Sequence, residues 1–362
     1  MSDMGNADMM RVARQLRGFQ QGDAAQRLSI SQAMLSRIEN KLAAFTSDLI
    51  DRAAAVYELP RTFFTQTDTV FGAPVSVHPM WRKKAAVSAR EMEQIVAELN
   101  VRLMHLRRLL QAVEVEATYP IPSLPVDEFD SVERIAALVR AQWKMPAGPV
   151  QNLTRALEAA GIVVVQSNMA GSVVDGVTFS APGLPPLIAL NVNQPSDRAR
   201  FTMAHELGHL VMHRTQPTQQ MEDQANEFAS HFLMPTHDIR PCLTQRRIDL
   251  RLFAELKPLW RVSMASLLMR ARSLGLLAYN QERYLWQQFS MAKIRLNEPP
   301  ELDFLPEGAT VLPELIEAHI SQLGYSISDL AAMLHLQPQE LSSLYGLSIV
   351  PEPQIAHLRI VK

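Results

Sequence analysis

Residues 205–209 read His205-Glu206-Leu207-Gly208-His209. Two histidines four positions apart share one face of a helix, so both imidazoles can reach a single metal ion. Glu206 lies one residue along and can take a proton from a water at that metal, which is the chemistry of metal-assisted hydrolysis. That geometry requires a helix. Arg200 to Met212 reads as one, carrying Phe201, Ala204, Leu207, Leu210 and Val211 with no proline between them. Gly208 costs the helix roughly 1 kcal/mol relative to alanine, so a neighbouring element is expected to pack close against that turn.

The pattern is that of zinc peptidases, where a catalytic zinc takes three protein ligands and keeps one position open. The extended form HExxHxxGxxH is absent, because position 212 is Met and position 215 is Thr. The next candidate segment, Met221 to Pro235, reads as a helix with Ala225, Phe228, Ala229 and Phe232 buried. Glu222, Asn226 and Ala229 share one of its faces. A Glu with a polar residue four positions on resembles the gluzincin arrangement, in which the polar partner orients the ligand. Glu227, His213 and His231 are rivals. Glu227 reads as a solvated rim residue and His231 as a structural one. His213 continues the face of His205 and His209, where it either lines the cleft and stabilises an oxyanion or caps the helix.

Other elements must hold these helices in place. Ile162 to Val165, Gly176 to Phe179 and Pro186 to Leu190 read as strands of a small sheet. A rim strand could take up an extended substrate through its edge hydrogen bonds. Helices are expected over 132–143 and 150–160. Before them lie a long helix, Ala89 to Val113, and the proline-rich linker Tyr119 to Pro125. Trp81-Arg82-Lys83-Lys84 reads either as a DNA-backbone contact or as a solvated turn.

Three segments together carry a specific resemblance. They are Arg200-Phe201-Thr202-Met203-Ala204 leading into the motif, Glu222 with Ala225-Asn226 and Phe228-Ala229, and Leu233-Met234-Pro235. Over about residues 126–240 the chain resembles the ImmA/IrrE family of metallopeptidases. The resemblance implies a zincin-like α+β domain whose Zn2+ is held by His205, His209 and Glu222, with Glu206 as catalytic base. It also implies a role in stress or mobile-element regulation through cleavage of a helix-turn-helix repressor. Asn226 is then the partner that orients a ligand, and His213 the candidate for a further catalytic group.

The first seventy residues read as short helices: Met9 to Gly18, Gln20 to Leu28, a third from Gln32 to Glu39 with Ser31 as N-cap, and Thr46 to Tyr57. Phe63 and Phe64 are expected to seal a small core. Residues 9–66 resemble the lambda-repressor-like (Cro/C1, XRE) helix-turn-helix family through Arg14, Arg17, Gln21, Ala25, Ile30, Ser31, Leu35, Ser36, Ile38 and Glu39. The resemblance places Gln21 on a DNA phosphate. It directs Gln32, Ala33, Ser36 and Arg37 into the major groove. The partners so implied are a double-stranded DNA operator and a second copy of the chain, as a homodimer. The chain departs from the family where Glu39-Asn40-Lys41 replaces Glu-x-Gly. Residues 1–66 carry eight Lys/Arg against seven Asp/Glu, too little charge for strong nonspecific DNA binding.

The whole chain has 362 residues, is 47% hydrophobic, and carries a net charge of -2. That fits two or three globular domains and excludes an indiscriminate polycation. The single cysteine, Cys242, excludes a Cys-cluster zinc site. No apolar run of about 18 residues is present, so no membrane partner is expected and the cytoplasm is the expected compartment. Residues 240–272 hold eight Lys/Arg against two Asp/Glu, and residues 301–340 hold seven Asp/Glu and no Lys/Arg. These read as solvated faces, with pairing inside the chain as the alternative.

Leu250 to Leu256, Ser263 to Leu274 and Gln281 to Lys293 read as helices, and 313–345 shows a second helix-turn-helix rhythm without basic residues. The fold class expected is multidomain and mainly α. Residues 1–70 form an all-α helix-turn-helix domain, 71–125 a helical connector and linker, 126–240 the peptidase, and 241–362 a C-terminal helical region with a regulatory or packing role. The function expected is a DNA-binding regulator with zinc-dependent endopeptidase activity on a repressor or antitoxin-like protein. The alternative is a non-proteolytic zinc-containing transcription factor that senses stress or a ligand.

Overall fold

A computed structural model of the chain describes residues 4–72, 88–169, 174–213, 218–295 and 297–347. Trp81 to Lys84 lie outside the described residues. The fold is mainly helical with one small sheet, and it divides into two compact units. One unit unites the chain up to Thr69 with the chain from Leu315 onward, and the other spans Val70–Glu314.

The first unit begins with five helices: α1 (Ala7–Leu16), α2 (Gln21–Arg27), α3 (Gln32–Glu39), α4 (Ser47–Tyr57) and α5 (Arg61–Thr65). Asn6 and Ser31 cap α1 and α3 with their side chains. Met9, Met10, Ala13, Leu35, Ile38, Ile50, Phe63 and Phe64 form the core. A buried polar knot crosses it. Arg14 donates from Nε to Glu39 at 2.6 Å and from Nη2 to the other oxygen at 3.0 Å, and Gln21 donates to Glu39 at 3.0 Å. Removing one partner of a buried pair leaves the other charge uncompensated. Glu39→Ala is therefore expected to destabilise this unit by about 3–5 kcal/mol, read from its thermal unfolding. A loss under about 1 kcal/mol would show that water reaches Arg14 and that the knot is not buried in solution.

The second unit carries α6 (Ala89–Leu109), α7 (Val132–Gln142), α8 (Leu153–Ala159), β1 (Val163–Ser167), β2 (Gly176–Phe179) and β3 (Leu187–Asn191). It continues with α9 (Ser196–Met212), α10 (Gln219–Leu233), α11 (Thr236–Thr244), α12 (Leu250–Trp260), α13 (Met264–Ser273) and α14 (Tyr279–Met291). The sheet order is β1-β3-β2. β1 runs parallel to β3 and β2 antiparallel to it, with Val165 opposite Ala189 and Thr178 opposite Ile188. Val164 and Ile188 of the sheet share a buried cluster with Ala204 and Leu207 of α9 and Phe228 and Phe232 of α10.

Two glycines set how close the partners of α9 come. A Cβ on Gly208 would lie 3.1–3.2 Å from the Phe228 side chain, and one on Gly176 would lie 2.6 Å from Thr202 of α9. The first contact is the close approach that a glycine in the middle of α9 implied. Overpacking such a seam costs about 1–3 kcal/mol. Gly208→Val is expected to lower the melting temperature of this unit accordingly, and an unchanged melting curve would show that α10 can yield.

Several expectations shift, among them the end of α6, which stops at Leu109 rather than Val113. Helix α12 runs to Trp260 rather than Leu256, because Pro258 falls in its last turn, where the lost N–H leaves one carbonyl unpaired and the helix still closes. The chain turns instead at Arg261, whose φ is 52°. The acidic stretch after 297 is also less solvated than its composition suggested. The Lys257 ammonium is buried among Asp197 at 2.6 Å, Glu298 at 3.0 Å and Asp303 at 3.0 Å. Glu307 pairs with buried Arg200. Burial alone would lower the Lys257 pKa, but these carboxylates raise it.

Helix α15 (Val311–Ser321) follows, then α16 (Ile327–Met333) and α17 (Pro338–Tyr345). The last two form the helix-turn-helix expected over 313–345, with the turn at His335. Glu340 of α17 accepts a hydrogen bond from Arg17 at 2.8 Å within the first unit.

Candidate metal centre

Helices α9 and α10 pack directly against each other, with Gly208 against Phe228 at their contact. This approach brings the three expected ligands together. One ligand atom from each of His205, His209 and Glu222 lies within 4.8 Å of the others. His205 Nε2 and His209 Nε2 are 3.0 Å apart, and each lies 3.4 Å from a Glu222 oxygen. All three residues are buried.

The chemistry of the set fits a metal cation. Both Glu222 carboxylate oxygens are buried without a hydrogen-bond donor. A buried carboxylate with no donor is costly unless a cation faces it. Two imidazole nitrogens and one carboxylate form a donor set that suits zinc. Burial would raise the Glu222 pKa, but the closeness of His205 and His209, each 3.4 Å away, outweighs it and holds it at about 2. Burial likewise pulls the His205 imidazole down, while the carboxylates of Glu222 and Glu206 raise it.

Each histidine is held from behind. His205 places Nδ1 3.0 Å from the Asn226 carbonyl oxygen, so Asn226 stands where the helical spacing put it. His209 places Nδ1 2.9 Å from His213 Nδ1, and His213 Nε2 lies 3.1 Å from Gln224 Oε1. His213 is the C-cap of α9 with φ −116° and ψ 128°, so the chain has left the helix there. Burial and the neighbouring His209 bring the His213 pKa down to about 4.

Glu206 is buried, and Thr178 of β2 donates to its Oε2 at 2.5 Å. Sequence reasoning missed Thr178 and Gln224. Thr178 reaches Glu206 from a strand 28 residues upstream, and nothing in local spacing reveals such a contact. Of the rivals for the ligand position, His231 lies 3.5 Å from Glu133 and 3.7 Å from Glu227. Buried Arg270 donates to His231 as well, so that cluster is separate from the three ligand atoms. A cavity of about 820 Å³ lies beside α10, with Asn226, Phe201, Met234, Met269 and Arg270 in its lining.

In the first unit α3 presents Gln32, Ala33 and Arg37 to solvent, with Ser36 half-buried. Arg37 reaches the Leu42 carbonyl at 3.4 Å and Asn40 the Ser36 carbonyl at 2.8 Å. Gln21 commits one amide donor to Glu39.

Among known families, residues 10–64 match the model of a helix-turn-helix domain. Residues 157–272 match that of the IrrE N-terminal-like domain, a peptidase family. The second match runs from α8 through α13 and so contains the whole histidine–glutamate cluster. No curated protein matches the chain. No described helix is long and apolar enough to cross a membrane.

Proposed function

We propose that this chain, which joins a helix-turn-helix DNA-binding domain to an IrrE N-terminal-like peptidase domain, is a cytoplasmic transcriptional regulator with zinc-dependent endopeptidase activity. Its substrate class is a helix-turn-helix repressor or antitoxin-like protein met in a stress or mobile-element response. The observation that carries the reading is the convergence of His205, His209 and Glu222 beside a Glu206 that Thr178 holds in place.

His205, His209 and Glu222 would hold the zinc, which when bound polarises the scissile carbonyl and acidifies a water. Glu206 takes the proton of that water and delivers it to the leaving amine. Thr178 fixes one Glu206 oxygen and leaves the other for this transfer. Asn226 holds His205 with Nε2 toward the zinc. β2 stands at an edge of the sheet, where its backbone groups would pair with an extended peptide. The cavity lined by Phe201, Met234 and Met269 falls in the size range of pockets that take apolar groups.

On DNA, α3 would enter the major groove of an operator with Gln32, Ala33, Ser36 and Arg37, while Gln21 uses its remaining amide hydrogen on phosphate. A homodimer would read two half-sites. Arg37→Ala is expected to relax preference at one base pair by about 1–3 kcal/mol. Site selection from random duplexes checks this, and an unchanged preferred sequence would remove Arg37 from base readout.

The primary test measures zinc per chain together with cleavage of helix-turn-helix proteins from the same genome, for wild type and Glu206→Gln. Equal zinc in both, with cleavage in wild type alone, supports the peptidase. Equal zinc with no cleavage of any candidate favours the non-proteolytic zinc-containing transcription factor. Absence of zinc in wild type prepared without chelator overturns the ligand assignment.

A further inference from the structure

We propose that His213 is a positioning residue for the metal centre: it fixes the orientation and tautomer of His209, and Gln224 in turn fixes His213. The inference rests on the reading of His205, His209 and Glu222 as zinc ligands.

The directions of the hydrogen bonds carry the argument. His209 turns Nε2 toward His205 and Glu222, at 3.0 and 3.4 Å. A nitrogen that binds a metal must offer its lone pair, so the ring proton of His209 sits on Nδ1. That N–H meets His213 Nδ1 at 2.9 Å. His213 Nδ1 must then accept, and the proton of a neutral His213 ring sits on Nε2. Nε2 faces the Gln224 carbonyl oxygen at 3.1 Å, which can only accept. The three groups thus have one consistent sense: His209 donates to His213, and His213 donates to Gln224.

This arrangement leaves His213 no free donor. Stabilising an oxyanion would require its Nε2–H, which Gln224 holds. His213 closes α9 as its C-cap, with its N–H still on the His209 carbonyl at 3.0 Å and its ring 5.0 Å from that of His209. Helix α10 therefore supplies a ligand, Glu222, and the terminal acceptor behind each histidine, Asn226 directly and Gln224 through His213. Partners of this kind typically alter metal affinity 10–100-fold when removed.

The test is the zinc affinity of the full-length chain, measured by competition with a chromophoric chelator, with circular dichroism as the check on folding. His213→Leu is expected to weaken zinc 10–100-fold. Gln224→Leu is expected to weaken it less, and His213→Gln, which keeps an acceptor near His209 Nδ1, to recover most of the loss. Gln224→Leu also serves if His213→Leu fails to fold. Unchanged zinc affinity in folded His213→Leu overturns the proposal, as does cleavage lost at unchanged affinity, which would make His213 a group that acts on substrate. A wild-type chain that binds no zinc defeats the metal reading itself, and that result is distinct from a variant matching a zinc-binding wild type.

Discussion

Glu206→Gln is expected to reduce cleavage of the protein substrate by about 10²–10⁴-fold, the usual contribution of a positioned general base, with zinc content unchanged. Glutamine keeps the shape of the side chain and can still accept from Thr178, but it cannot take a proton from water. Glu206 is not among the three converging ligand atoms, so the metal has no reason to leave. The comparison is single-turnover cleavage beside zinc quantification on the same preparation. Cleavage within threefold of wild type would sink the assignment of Glu206 as base. Thr178→Val should fall between the two, because it frees Glu206 to rotate without removing the carboxylate.

The second large effect is expected from Glu222→Ala. Wild type should gain stability on zinc addition, by about 4 kcal/mol when free zinc exceeds its dissociation constant a thousandfold. The gain has a source in the structure: two buried carboxylate oxygens with no donor acquire a cation. Glu222→Ala removes both the penalty and the third ligand. The variant should fold without zinc, bind it weakly through His205 and His209, and lose the zinc-dependent rise in melting temperature. Thermal unfolding with zinc and with a chelator reads this directly. A rise as large in Glu222→Ala as in wild type would mean the third ligand lies elsewhere.

That His205, His209 and Glu222 converge was expected from helical periodicity for the two histidines and from the family resemblance for Glu222. His205 and His209 are one turn apart, Glu222 and Asn226 are one turn apart, and Gly208 marked the seam that joins the two helices. Helix α3 and its Ser31 cap stand where the N-cap and the apolar spacing placed them. What escaped were contacts set by tertiary packing. Thr178 reaches Glu206 across from a strand, and Gln224 lies off the face that Glu222 and Asn226 share. Short or proline-bearing helices also escaped. α5 has five residues, and α11 contains Pro241. Periodicity needs more residues than α5 offers, and proline reads as a break.

The first unit is assembled from both ends of the chain, with the second unit spliced between them. If the chain cuts itself, one scission near Thr69 or near Glu314 liberates nothing. The severed piece keeps its partners in the first unit, Arg17 and Glu340 among them, and the opposite junction is still covalent. Such a nicked molecule would migrate as two bands under denaturing conditions and as one species on a sizing column. Two incisions, one at each junction, are needed to set the DNA-binding unit free.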